Sequence, residues 1–430
     1  MNPMKAGLCL AQALACTLFA LAPAQAQTPA QDGPPPQLQP YYQVLMSEGE
    51  WGAVLNLKRL GLEAIDQRHP EVAARAFDAA ISRVELIYAD SPSAKKARSL
   101  WSADGVKDFK GDPYERAMAY YYRGLLFLAE GDYGNARAAF RSAEYQDTIV
   151  NDETYSGDFG LMSLLAGWAS QCAGDTGMAD EFYARAATQQ PEGLPRPAPG
   201  SDTLVLVESG TSPVKLAAGA HGEGLKFSAG DNPFVSASIG AVQMPVFADV
   251  GWQAGTLGGR QVDVILNGKA NFREGADTVG DLGMLGAQFA LGSDSIEAAA
   301  AMALVGVAAK LMGKAVKTKA DIRYWDNLPD RIYGSFVAGA GTTLPDIIEF
   351  DADGESWPVG SPVLDQRAGA CRVVLYRTRE PGALPAQAVA NLSESERQKL
   401  FKHNEQRDAQ FRDEMSARFG STDPSVAFGE

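Results

Sequence analysis

Between two proline-rich breaks, at residues 28–40 and 191–200, the apolar positions follow a helical period. Beyond the second break the pattern changes. Val- and Gly-rich segments dominate, and short runs at 203–207, Phe234–Ile239, 262–266, Arg331–Ala338 and Cys371–Arg377 read as strands. Asn267-Gly268 after the run at 262–266 is a hairpin signal. One helix interrupts this region, over about residues 295–317. Its stretch 298–309 holds 12 residues without charge, too short to span a bilayer, so it predicts a core helix or a membrane-touching one. A last helix is expected from Ser393 to Arg418, opened by a capping box of Ser393 and Glu396. Leu400, Phe401, Phe411, Met415 and Phe419 give it a narrow apolar stripe, which usually docks on the same chain and less often on a partner.

The helical half repeats. Gly124, Phe127, Gly131, Tyr133, Ala136, Phe140 and Ala143 form one unit. Gly167, Gly174, Ala179, Tyr183, Ala186 and Pro191 form another, and Gly61, Ala73, Phe77 and Ala80 a weaker first one. Small residues let two helices approach, and the aromatics fill the space beneath them. These are the spacings of the tetratricopeptide repeat, a helix-turn-helix unit. The first glycines are 63 and then 43 residues apart, whereas an unbroken array steps by about 34. Insertions are therefore expected near residues 91–111 and 145–157. Asp112, with Pro113 after it and Glu115 three residues on, is a helix start.

The pattern thus predicts an α + (α+β) chain, in which tetratricopeptide-like hairpins precede a separate α+β domain and a C-terminal helix. The expected divisions are a signal peptide at 1–26, a proline-rich tether at 27–44, the helical domain at 45–194, the α+β domain at 200–385, and a charged helix and tail at 390–430. The signal reading rests on Lys5, an apolar run at 6–21 and the small-x-small site Ala24-Gln25-Ala26. A lipoprotein box ending at Cys16 is the alternative, with anchoring in the outer membrane. Its usual Leu is replaced by Ala13, and the apolar run continues past Cys16. Either reading exports the chain, the first to the periplasm.

Composition narrows the function. The 430 residues carry a formal charge of −15, which argues against nucleic acid as a partner. His69, His221 and His403 are scattered and none has a metal-ligand spacing to another His or Cys. No nucleophile elbow, phosphate-cradling loop or dinucleotide fingerprint is present, so no catalytic residue, metal or cofactor is assigned. Removal of the leader leaves Cys172 and Cys371, read either as a disulfide that locks the two halves or as two buried thiols. Asp321, Arg323, Trp325, Leu328 and Pro329 make the most distinctive short segment. It reads as a structural turn, with a contact to a ligand or partner through Arg323 and Trp325 as the alternative.

Three segments carry a family resemblance: 107–117 running into Tyr120-Tyr121-Tyr122-Arg123-Gly124, then Gly131-Asp132-Tyr133 with Ala136 and Arg137, and Asp321-x-Arg323-x-Trp325-x-x-Leu328-Pro329. Together they resemble a poorly characterised family of bacterial envelope proteins with tetratricopeptide-like N-terminal halves, over roughly residues 51–381. Members are often outer-membrane lipoproteins, often encoded near lipoproteins related to the curli secretion channel or to activators of penicillin-binding proteins. The resemblance implies an envelope role and no established reaction.

The expected function is that of a non-catalytic interaction protein of the envelope, with envelope proteins as partners, outer-membrane lipoproteins among them. A subunit of an oligomeric outer-membrane assembly and an envelope enzyme acting on glycan or peptide are the alternatives. Membrane contact is left open, but no transmembrane helix is expected in the mature chain. In the repeat, the first helix of each hairpin lines a concave surface. That places Lys58, Leu62, Tyr121, Leu125, Leu128, Leu164, Trp168 and Gln171 (with Cys172 beside it) on an expected partner-binding groove. Tyr121, Leu125 and Leu128 share one helical face. The competing expectation is that the second domain or the tail fills this groove.

Overall fold

A computed structural model describes residues 33–88, 108–148, 157–190, 193–218, 224–228, 230–257, 321–339, 341, 343–379 and 392–420. The signal peptide, Cys16, the strand and hairpin at 262–268 and the apolar stretch 298–309 lie outside the described residues.

The helical region comprises α1 (Gln39–Asp66), α2 (Pro70–Tyr88), α3 (Pro113–Glu130), α4 (Tyr133–Thr148), α5 (Gly160–Cys172) and α6 (Thr176–Ala186). They pack as three successive pairs, and in each a glycine faces an aromatic ring. A Cβ added at Gly61 would lie 3.0 Å from Phe77, at Gly124 2.4 Å from Phe140, and at Gly167 2.6 Å from Tyr183. The offset is the same in all three, so the small-against-large pairing sets the closeness of each pair. Glu115 accepts the backbone N–H of Asp112 at 2.9 Å and so caps α3. Gly131 ends α3 in the left-handed region, φ 77°.

The proposed tether needs correction at its C-terminal end. Pro36–Leu38 is a 3-10 turn and α1 begins at Gln39, with Leu38, Tyr41, Tyr42 and Val44 buried. Prolines suit the first turn of a helix, where no N–H is needed, so a proline-rich stretch can start a helix as well as link domains.

Strands follow. β1 (Ser201–Ser209), β6 (Val246–Asp249), β7 (Arg331–Ala338), β10 (Leu364–Ala368) and β11 (Cys371–Arg377) form a five-stranded sheet in the order β10-β11-β1-β7-β6. β1 runs parallel to β11 and antiparallel to β7. β4 (Phe234–Ile239), β5 (Val242–Met244), β8 (Ile347–Asp351) and β9 (Ser356–Pro358) form a second sheet in the order β5-β4-β8-β9. β2 (Val214–Ala218) and β3 (Gly224–Ser228) form a hairpin, and a short helix, α7 (Val250–Leu257), follows β6.

The strand period explains the layering. Leu204 and Leu206 of β1, with Val373 and Leu375 of β11, join one core with the helices. Val205, Val207, Val374 and Tyr376 face the other way and meet Ala237, Ile239, Met244 and Ile347 of the second sheet. The order of layers is helices, five-stranded sheet, four-stranded sheet. The mixed α and β character agrees with the expectation, but the two parts are not separate: one apolar core runs through both. Within the second break, residues 193–200 lead into β1.

The C-terminal helix α8 (Glu394–Phe419) opens with the expected Ser393–Glu396 box. It docks on its own chain. Leu400 packs with Trp51, Phe419 meets Tyr42 edge to face at 6.0 Å, and Asp408 accepts the N–H of Glu50 at 3.0 Å. Gly49, at φ 64°, kinks α1 at that contact.

Candidate functional site

The expected groove is closed. Lys58, Leu62, Tyr121, Leu125, Leu128, Leu164 and Trp168 are all buried, and Gln171 is half-buried. The occupant is the five-stranded sheet, except at Lys58, which lies against Phe109 and Trp325. Trp168 lies 4.9 Å from the Phe336 ring of β7. Gln171 donates to Ser201 O at 3.3 Å. Tyr122 donates to Glu208 of β1 at 2.8 Å. The groove as an open partner surface is therefore overturned: aromatic and aliphatic residues at the outward repeat positions signal burial, and the chain supplies its own cover.

Along this seam the charged side chains concentrate. Arg377, the last residue of β11, donates to Glu208 at 2.7 Å, to Asp66 of α1 at 2.5 Å and to Asn327 O at 2.7 Å. Glu208 and Arg377 are register partners on the parallel strands. Burial lifts the Glu208 carboxyl above its usual range, and Arg377 and the Tyr122 hydroxyl pull it back. Burial works against the Arg377 charge, but Asp66 and the groups around it outweigh that and hold the guanidinium above its ordinary pKa. Burial, with Glu208 beside them, also keeps the Tyr121 and Tyr122 hydroxyls well above the usual phenol range.

The distinctive turn lies in the same seam. Asp321, Arg323, Trp325, Leu328 and Pro329 are all buried. Arg323 forks onto Asp321, at 2.9 and 2.7 Å, and stacks 4.1 Å from the Trp51 ring centroid. The Trp325 N–H donates to Glu115 at 2.5 Å, its carbonyl accepts from Ser212 at 2.8 Å, and its ring lies 5.8 Å from Tyr122. Asp326 takes a two-point contact from Arg59, at 2.7 and 2.9 Å. These contacts tie the segment to α1, α3 and the loop before β2, which is the work of a structural turn.

Two buried lysines complete the seam. Lys58 lies 3.5 Å from Glu115 and 4.9 Å from the ring centroids of Phe109 and Trp325. Lys215 of β2 meets Asp112 at 2.8 Å. Burial lowers the Lys58 ammonium to about 8. Sequence reasoning missed Asp66, Glu208, Lys215 and Arg377. A signal for two of them was present: Glu208 and Arg377 each stand near the end of a run of buried aliphatics, where an unpaired charge would be costly.

Cys172 at the end of α5 and Cys371 at the start of β11 are bonded as a disulfide, across 199 residues. Of the two readings left open, the disulfide is the one present, and it joins α5 to the five-stranded sheet. Among the described residues no helix is long and apolar enough to cross a membrane. Among the same residues, no three His, Cys, Asp or Glu side chains are grouped to hold a metal ion.

On the outside, Val235 of β4, Val242 of β5 and Trp357 of β9 are exposed, Trp357 by 51%. Trp252 of α7 is 54% exposed while its indole N–H donates to Asp158 at 3.1 Å. Comparison with protein-family models, with curated proteins and with solved structures finds no match.

Proposed function

We propose that this chain is an exported protein of the bacterial cell envelope that works as an interaction scaffold and not as an enzyme. The observation that carries the location is the Cys172–Cys371 bond, because structural disulfides persist in oxidising compartments. The three glycine–aromatic pairs support tetratricopeptide-like ancestry for the hairpins. The seam charges favour a scaffold, since Glu208, Arg377, Glu115 and Lys58 are used inside the molecule and present no charge to a cleft.

With the inner helix face taken by the sheet, partners meet outer surfaces. Val235, Val242 and Trp357 give the four-stranded sheet an apolar border of the kind that anchors interfaces. A photo-crosslinking residue at Trp357 or Val242, in the native cell, is expected to capture a discrete envelope protein. The same residue at Tyr121 or Trp168 is expected to give only intramolecular products. Partner adducts from the groove positions alone would contradict this reading. The mature N-terminus is expected at Gln27, and a lipid-modified Cys16 there would place the scaffold on a membrane instead.

A further inference from the structure

Asp147, in the last turn of α4, is a buried carboxylate whose setting suits its neutral form. One oxygen accepts the N–H of Phe159, the residue before α5, at 3.0 Å. The other, Oδ1, is buried and has no hydrogen-bond partner among the described residues. No ion pair reaches Asp147 among those residues. The C-terminal end of α4 adds its own negative partial charge.

The neighbours are acidic. Glu144 lies one turn back on α4 and is paired with Arg185 of α6 at 2.9 Å, with Ser163 of α5 donating to it at 3.0 Å. Asp158 lies on the other side, next to Phe159. From α3, Arg116 is committed to Gln146 and to Gly111 O, both at 2.7 Å. α7 brings no charged residue, and Asp249 before it caps the Trp252 N–H at 2.7 Å. Burial first, then Asp158 and Glu144, push the Asp147 carboxyl up to about 7, against the pull of the Phe159 and Gly157 N–H groups.

Asp158 gives this carboxyl a reach beyond its own turn. Its two oxygens accept from Trp252 Nε1 at 3.1 Å and from Gln253 Nε2 at 3.0 Å. They fasten α7, and with it the exposed Trp252, to the start of α5.

We propose that Asp147 is a proton-operated latch between the α4–α5 joint and α7. Protonated, it adds no charge beside Asp158 and Glu144, and Asp158 holds Trp252 and Gln253. Ionised, it repels Asp158 and loosens that hold, so the presentation of Trp252 follows the pH outside the molecule. The location proposed above is not required.

Hydrogen exchange on the full, disulfide-bonded chain tests it, with rates corrected for intrinsic pH dependence and read at about pH 6 and about pH 8. In the wild type, protection of α7 is expected to drop about tenfold at the higher pH. In Asp147→Asn it is expected not to change with pH. A pH response of the same size in both proteins would overturn the latch. Should Asp147→Asn fail to fold, carboxyl-carbon NMR of the wild type decides. A carboxyl inflecting near neutrality, and moving to lower pH in Asp158→Asn, supports the proposal. Titration of every carboxyl in the ordinary range ends it.

Discussion

Arg377 and Glu208 sit opposite each other on the parallel strands β11 and β1, 2.7 Å apart and shielded from water. Asp66 reaches the same guanidinium from α1, so one side chain holds the sheet to the helices. Breaking a buried pair leaves an uncompensated charge, which costs about 3–5 kcal/mol. Arg377→Met is expected to destabilise the fold by that amount in urea unfolding. Glu208→Gln added to it should cost less than the two single losses together, because the first change already removes the partner.

The helix pairs make a steric prediction. At Gly124 even a methyl group would meet Phe140 at 2.4 Å. Gly124→Leu must separate α3 from α4 or displace the ring, and overpacking of this kind costs about 1–3 kcal/mol. A methyl group added at Gly177 on α6 would have nothing within 4 Å. Gly177→Ala therefore serves as the control, with an unchanged or slightly raised melting midpoint.

The disulfide closes a loop of 199 residues, and removing a native bond typically costs about 2–5 kcal/mol. Cys172→Ser with Cys371→Ser is expected to lose stability within that range while keeping its circular dichroism, since the apolar core between the halves remains. The oxidised wild type should show neither thiol to an alkylating reagent after denaturation without reductant. Two reactive thiols would contradict the bond.

Lys58 gives a pH dependence of known sign. Burial depresses it from 10.5 to about 8, so between those values the folded chain binds fewer protons than the unfolded chain. Its contribution to stability therefore rises as pH increases through that window. The buried tyrosines act oppositely above their ordinary value of 10.0. Lys58→Met is expected to flatten the rise between about pH 8 and about pH 10, measured by urea unfolding. An identical profile in the variant would mean that Lys58 is not held in its low-pKa form.

Local features were legible in the sequence where a local signal determines them. The periods of Phe234–Ile239, Arg331–Ala338 and Cys371–Arg377 mark the strands at their observed bounds. Ser393 with Glu396 marks the start of α8, and the spacing of Gly124 from Phe140 marks a helix pair. What escaped was long-range. Nothing near Leu204 or Val373 tells that β1 and β11 are parallel neighbours. Tyr121 and Trp168 announce an apolar face but not its occupant, since a partner and the chain's own sheet ask for the same residues. The seam charges were missed for a related reason: Asp66, Glu208 and Arg377 lie far apart in sequence, and only the closed fold brings them together.

The central claim, that the sheet fills the inner face of the helices, is tested most directly by hydroxyl-radical footprinting of the intact protein. The closed arrangement predicts that Tyr121 and Trp168 are protected until the chain unfolds, while Tyr145, Trp252 and Trp357 are modified readily in the native state. Native-state modification of Tyr121 and Trp168 at rates like those of Trp252 and Trp357 would contradict it and restore the open groove.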